Sequence, residues 1–418
     1  MDFNRNPTGR NQWNLGLEKE FQIIQLLKYW HAKGTTNYQD LAGLLEKNLQ
    51  VTFCAKTVQR RLKKLELRAA RGTMASIDHK LAEQLVLEQM EKDPAKRMGP
   101  ASLKAKIALE KEGLHISRDF VSMVMHIHDP GAFAEREPTA KKILRSPRFP
   151  IGPNQRWSSD GHDKMAKIGM LIYGFADEAT HKVLDTRVVP SNRVQEIVAY
   201  LFLCLVEFHE GIPLQLTTDC GSEVTLMSTY MHHLRNVFHP HIDIQEVPAH
   251  VELKSVHNVT IESSWYRLRL DIGDNIIIRF QQGYYDGIYN PNDPDHVELA
   301  RWLWSRVTQK EVDAAVELRN STRIRKQKNK NGPSGISRDM AYTLYEKWGG
   351  KECKLPVNVE YVRLLKERLG GEALLAFTSE EFTLRAQDTY TQLGLEDVTK
   401  ENAWIVFGQM LPLLFAPA

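Results

Sequence analysis

Three carboxylates stand where phosphodiester chemistry would want them. Asp160 closes the run RWSSD, which reads as a short strand; Asp219 follows a second short strand, Leu214 to Thr218; Glu262 lies one turn into a helical stretch that begins near Val259. On that helix Ile261, Trp265 and Leu268 form an apolar stripe, while Glu262, Tyr266 and Arg269 share another face. Such a helix buries one side and aims Glu262 at a sheet edge. Three acids converging there repel one another unless cations bind between them. Carboxylate oxygens suit two Mg²⁺ or Mn²⁺ ions, which activate an attacking oxygen and stabilise the leaving one when a phosphodiester is cut or transferred. Asp163 is an alternative first ligand, and His162 reads as a local hydrogen-bonding residue. His232, His233, His239 and His241 lack partner cysteines at zinc-finger spacing.

The surrounding pattern supplies elements to hold these acids. Lys167 to Ala176 is nearly all apolar and suits a strand buried on both faces. A turn at Asp177 to Thr180 leads to a return strand, Lys182 to Val189. Val194, Ile197, Val198, Leu201, Leu205 and Phe208 mark an amphipathic helix, and Val224, Met227, Met231 and Leu234 a second. Ile242 and Ile244 suggest a fifth strand, and Val259 to Leu270 the last helix, with Asn258 as its cap. Three strands, helix, strand, helix, strand, helix is the order of the ribonuclease H-like α/β fold, a mixed five-stranded sheet with flanking helices.

Ahead of this core the chain reads as all-α. Leu17, Phe21, Ile24 and Leu27 recur at helical spacing, as do Tyr38, Leu41, Leu44 and Leu45, then Val58, Leu62 and Leu65. Arg60, Arg61, Lys63 and Lys64 occupy the other faces of the third helix, the order of a helix-turn-helix whose last helix enters DNA, over residues 1–75. A second such unit, residues 76–128, carries Leu103, Ile107, the cap Ser117, Val121, Val124 and Met125. Prolines mark residues 129–149 as a linker. The core is placed at 150–282. A basic extension follows at 283–350, where Arg319, Arg323, Arg325, Lys326, Lys328 and Lys330 could neutralise DNA phosphates or serve nuclear import, and residues 351–418 are helical.

Composition is compatible with all of this. The 418 residues carry a net charge of +3, 42% apolar and 26% charged side chains, which excludes wholesale disorder, collagen and coiled coil. The near-neutral total conceals a basic N-terminal third, an acidic centre and a basic stretch after it. Four widely spaced cysteines exclude a disulfide framework and point to an intracellular protein. The first residues lack the apolar segment of an export signal, and the apolar run from Ala403 to Ala418, broken by Pro412, reads as a buried helix end rather than a membrane span.

The segments WSSDGHDK, LTTDCGSEVT and SVHNVTIESSWYRLR resemble the retroviral-type integrase core of DDE transposases, and most closely the integrase-core-like proteins of fungal transposable elements. The likeness spans residues 150–350, with RKQKNKNGPSGISRDMAYTLYEKWGG matching the region after the core. GPASLKAKIALEKEGLHISRDFVSMVM loosely resembles the second helix-turn-helix of bacterial insertion-sequence transposases. The resemblance implies that Asp160, Asp219 and Glu262 are a metal-binding catalytic triad with two Mg²⁺ or Mn²⁺ ions, and that Arg267 and Arg269 are the basic residues after the glutamate. It implies double-stranded DNA, both element ends and target, as partner, with 3′-end processing and strand transfer as the reaction. It also implies a homo-oligomer without a membrane, working in the nucleus of a eukaryote or otherwise in the cytoplasm. Asp219 and Glu262 lie 43 residues apart, farther than in the retroviral pattern, which implies an insertion within 239–257. The alternative reading is a domesticated, catalytically silent DNA-binding regulator; a nuclease for RNA–DNA hybrids is a further rival.

Overall fold

The computed structural model describes residues 15–131, 150–253, 259–327, 332–395 and 397–415. Most of the proline-rich linker, the cap Asn258, and Lys328 and Lys330 therefore lie outside the described residues. The chain divides into two compact units, Met1–Lys92 with Gly99–Glu137, and Asp93–Met98 with Pro138–Ala418.

The first unit is all helical: α1 (Leu17–Ala32), α2 (Tyr38–Leu49), α3 (Ala55–Lys64), the single turn α4 (Ala70–Met74), α5 (His79–Glu91), α6 (Pro100–Glu110) and α7 (Arg118–His128). Asn37, Asp78 and Ser117 cap α2, α5 and α7 by accepting backbone N–H groups that the helix cannot pair. The apolar face of α1 differs from the expected stripe. Leu17 and Phe21 are exposed, whereas Ile23, Leu27 and Trp30 are buried on a helix that packs on α2, whose Leu41, Leu44 and Leu45 are buried too. α1 is apolar on more than one side, so packing against α2 and α3 selects the face. In the second group Leu103, Ile107, Val121, Val124 and Met125 are buried as their spacing indicates. Glu112 and Gly113 turn the chain between α6 and α7 with φ of 46° and 94°. A Cβ on Gly113 would stand 2.7 Å from His31 Nδ1, so glycine is required by space as well as by conformation.

The second unit is built on strands β1 (Arg156–His162), β2 (Leu171–Asp177), β3 (Val183–Val189), β4 (Gln215–Thr218) and β5 (His250–Glu252), in sheet order β3-β2-β1-β4-β5. β1–β2 and β2–β3 pair antiparallel; β1–β4 and β4–β5 pair parallel. This is the ribonuclease H-like mixed sheet with helices on both faces. The fifth strand is not where the isoleucines suggested: Ile242 and Ile244 lie in a loop, and His250–Glu252 pairs instead, with His250 opposite Leu216. Asp177 holds the β2–β3 turn by accepting the Thr180 N–H and Oγ1–H at 2.8 and 2.6 Å.

Helices α8 (Gln195–His209), α9 (Thr225–Phe238) and α14 (Val359–Leu369) cover one sheet face around Trp157, Tyr173, Phe175 and Val189. α10 (Val259–Leu268), α11 (Asp274–Tyr285), α12 (Pro294–Ser321) and α16 (Ala403–Leu414) cover the other around Ile172, Ala176 and Val188. Between them in sequence come α13 (Arg338–Thr343) and α15 (Glu380–Gln392). α8 is buried nearly all round rather than amphipathic, because α14 covers its outer side, where Glu207 pairs with Arg363 and Lys366; Phe208 is left exposed. The C-terminal helices, to which no role could be given from sequence, are thus part of both core layers.

α12 also closes the edge at β3. An edge strand presents unpaired backbone groups. Gln309 accepts the Val188 N–H and donates to Thr186 O; Asn320 accepts the Val183 N–H and donates to Val183 O. The two amide side chains imitate a neighbouring strand. No helix among the described residues is long and apolar enough to cross a membrane.

Candidate active site

Asp160 sits in the central strand β1, opposite Gly174 of β2. Trp265 on α10 donates its indole N–H to Asp160 Oδ2 at 3.0 Å. Burial pushes the Asp160 carboxyl up to about 7, helped by the charge of Asp219 and less by that of Glu262; the Trp265 hydrogen bond and the Gly161 backbone act the other way. Asp219 leaves the end of β4. Burial and the charge of Glu223 raise its carboxyl, opposed by the Gly221 backbone. Its loop is anchored from below: Thr218 Oγ1 donates to Asp219 O and meets His250 Nε2 at 2.8 Å, and His250 Nδ1 meets Ser228 Oγ at 2.9 Å. These two partners explain why β5 carries a histidine where strand patterning would put an apolar residue.

Glu262 lies in the first turn of α10, half-buried, on a helix that packs across β1 and β2. Ile261, Trp265 and Leu268 are buried and Tyr266 and Arg269 exposed, the division read from the sequence. α10 then passes through a π-turn, Arg269–Gly273, into α11, so the helix does not run on regularly to Leu270. Such wide turns re-aim a helix and recur at functional sites.

The alternative acid is otherwise engaged. Asp163 accepts from Asn192 Nδ2 at 2.6 Å and Arg193 at 2.7 Å, which hold its carboxyl below the usual range. His162 is buried, its imidazole pushed down to about 4 by burial, and it stacks on Trp265. Two residues emerge that sequence reasoning passed over. Glu223 adds a fourth carboxylate beside Asp219, and only its place in the run after the second aspartate hinted at it. Trp265, which its helical spacing marks as a core residue, is also Asp160's hydrogen-bond donor.

The basic residues divide by burial. Arg60, Lys63 and Lys64 are exposed on α3, whereas Arg61 forms a two-pronged pair with Glu20 at 2.6 and 2.7 Å and lies 4.6 Å over the Phe53 ring. Arg61 therefore ties α1 to α3. Its hydrogen bonds hold the Glu20 carboxyl low, so their stabilisation is complete above the unfolded carboxylate value and is lost as pH falls through the lowered folded one. Arg61→Ala is expected to cost the N-terminal unit about 1–2 kcal/mol at pH 7. The ionic part of that loss should shrink on acidification toward pH 3; melting curves at the two pH values check it, and an equal loss at both rejects the pairing. Arg267, Arg269, Arg323, Arg325 and Lys326 are exposed in the second unit. Arg319, counted with them from sequence, is mostly buried, and burial together with the charge of Arg338 pushes it down to about 9.

The donors on offer are carboxylate oxygens, the hard ligands that Mg²⁺ and Mn²⁺ take. Among the described residues no three His, Cys, Asp or Glu groups are gathered tightly enough to form a ready metal cage. The chemistry nevertheless fits a divalent cation: burial and the neighbouring charge of Asp219 both disfavour an ionised Asp160, and a cation would relieve both. No curated protein matches the chain. A family model, the integrase core domain, matches residues 150–341 and supports an integrase or transposase catalytic core in this part of the chain.

Proposed function

We propose that the protein is a DDE-type polynucleotidyl transferase of a transposable element, which processes the 3′ ends of the element's DNA and joins them to target DNA. Domains of this family are of polynucleotidyl-transferase type, bind DNA and generally use divalent metals. The observation that carries the reading is the surroundings of Asp160: within an integrase core fold it lies on the central strand β1, bonded to Trp265 of the helix that carries Glu262, and the charges of Asp219, from the end of neighbouring β4, and of Glu262 both reach it. Asp160, Asp219 and Glu262 would hold the cations. Bound there, two Mg²⁺ or Mn²⁺ ions supply an activated attacking oxygen and charge stabilisation for the leaving one. Arg267 and Arg269, on and just after the Glu262 helix, and Arg323, Arg325 and Lys326 neutralise backbone phosphates. Arg60, Lys63 and Lys64 on α3 hold the element's ends. Joining two ends together calls for at least two protomers, working in the nucleus if the host cell is eukaryotic and otherwise in the cytoplasm.

The test is a joining assay on oligonucleotides carrying the terminal repeats that flank the coding sequence, with Mg²⁺ or Mn²⁺. Wild-type protein should join 3′ ends to target. Residues that only hold a metal ligand in place are worth about 10–100-fold, so Glu262→Gln and Asp219→Asn, which alter proposed ligands themselves, should fall lower still while DNA affinity stays within a few-fold. Wild-type protein that joins nothing, or a Glu262→Gln variant as active as wild type, rejects the reading.

A further inference from the structure

We infer that Trp265 is a positioning residue, which fixes the Asp160 carboxylate relative to the helix that carries Glu262. The inference rests on the reading of Asp160 and Glu262 as cation ligands. Trp265 stands three residues after Glu262 on α10 and is 6% exposed, and its indole N–H reaches across to Asp160 Oδ2 at 3.0 Å. One rigid ring therefore links two elements that each bring an acid to the site.

The sheet is shaped to admit that ring. Gly174 is the register partner of Asp160 on β2, and a Cβ there would lie 2.6 Å from Trp265 Cη2. Any side chain at 174 would displace the indole. His162 is two residues beyond Asp160, hence on the same face of β1. Its ring stacks on the indole with centroids 5.1 Å apart and planes 20° apart. The glycine, the stack and the hydrogen bond together determine where the ring lies, and the ring determines how the carboxylate points. An indole N–H donates only. It orients a carboxylate without accepting its proton or competing for a cation. Sites of this kind demand such support, because a ligand about 0.5 Å out of place loses its productive geometry.

Trp265→Phe keeps an aromatic ring for His162 to stack on and removes the N–H. In the full-length protein, calorimetry with Mn²⁺ should show the dissociation constant raised about 10–100-fold. The Mn²⁺ concentration for half-maximal joining should rise in parallel, with joining at saturating Mn²⁺ largely restored and DNA affinity unchanged. Gly174→Ala, which retains the tryptophan but displaces it, should reproduce the weakened Mn²⁺ binding. Should Trp265→Phe fail to fold, Gly174→Ala alone decides. Wild-type Mn²⁺ affinity in either folded variant overturns the inference. Asp160→Asn separates this from the parent reading: if it too binds Mn²⁺ like wild type, Asp160 is no ligand and the parent reading fails. If it loses Mn²⁺ while Trp265→Phe retains it, only the role of Trp265 is rejected.

Discussion

Asp160→Asn should abolish DNA joining and, without metal, make the protein more stable than wild type above pH 7. The two effects have one cause. Burial and the charge of Asp219 raise the Asp160 carboxyl to about 7, against 3.8 for an ordinary aspartate. The folded protein thus holds a proton there that the unfolded chain has released between about pH 4 and 7, and its stability falls as pH rises through that window. At about 1.4 kcal/mol per unit the penalty above pH 7 has a ceiling of about 4 kcal/mol. Asparagine carries no charge to desolvate, and its carbonyl oxygen still accepts the Trp265 N–H. Melting curves without metal should show the variant ahead by about 2–4 kcal/mol at pH 8 and level with wild type near pH 4. Added Mn²⁺ should stabilise wild type, by binding the folded form alone, and leave the variant unmoved. A variant less stable than wild type at pH 8, or a gap that does not close on acidification, would show that Asp160 is not a buried charge under strain.

The three acids were legible because each is announced locally. Asp160 and Asp219 end runs with strand character, and Glu262 has a helical stripe beside it that the structure buries as Ile261, Trp265 and Leu268. Local signals failed where the deciding partner is distant. Ile242 and Ile244 alternate as a strand would, yet the strand is three residues long and its inward histidine is satisfied by Thr218 and Ser228, which no hydropathy pattern displays. In α1 Leu17, Phe21, Ile24 and Leu27 match a helix as well as Ile23, Leu27 and Trp30 do; only α2 and α3 choose between them. The hydrogen bond from Trp265 to Asp160 spans 105 residues, and that from Trp404 to Arg279 spans 125. Apolar spacing can say that a tryptophan is buried. It cannot say what its N–H meets.

That second long-range bond sets up a contest between two rules with opposite signs. Gly283 lies inside α11, where replacing glycine by alanine ordinarily stabilises a helix by about 0.5–1 kcal/mol. Here a Cβ would stand 2.2 Å from Trp404 Cε2 and 2.5 Å from two other atoms of the same indole. The ring cannot slide away cheaply. Its N–H donates to Arg279 O at 2.8 Å, and it packs against Phe280, Trp304, Tyr289 and Phe407 with centroids 5.2–5.5 Å apart. Overpacking a core costs about 1–3 kcal/mol and truncating a buried tryptophan to alanine about 3–5 kcal/mol. Gly283→Ala should therefore destabilise the second unit by more than 1 kcal/mol despite its better helix propensity, and Trp404→Ala by about 3–5 kcal/mol. Their double variant should lose less than the sum, because the methyl group partly fills the space the indole leaves. Urea unfolding of the full-length protein and its three variants measures this. Strict additivity, or a Gly283→Ala variant as stable as wild type, would mean that α16 does not lean on α11 through this ring. The expected result makes residues 403–414 an integral part of the core layer that also buries Ile261, Trp265 and Leu268 of α10.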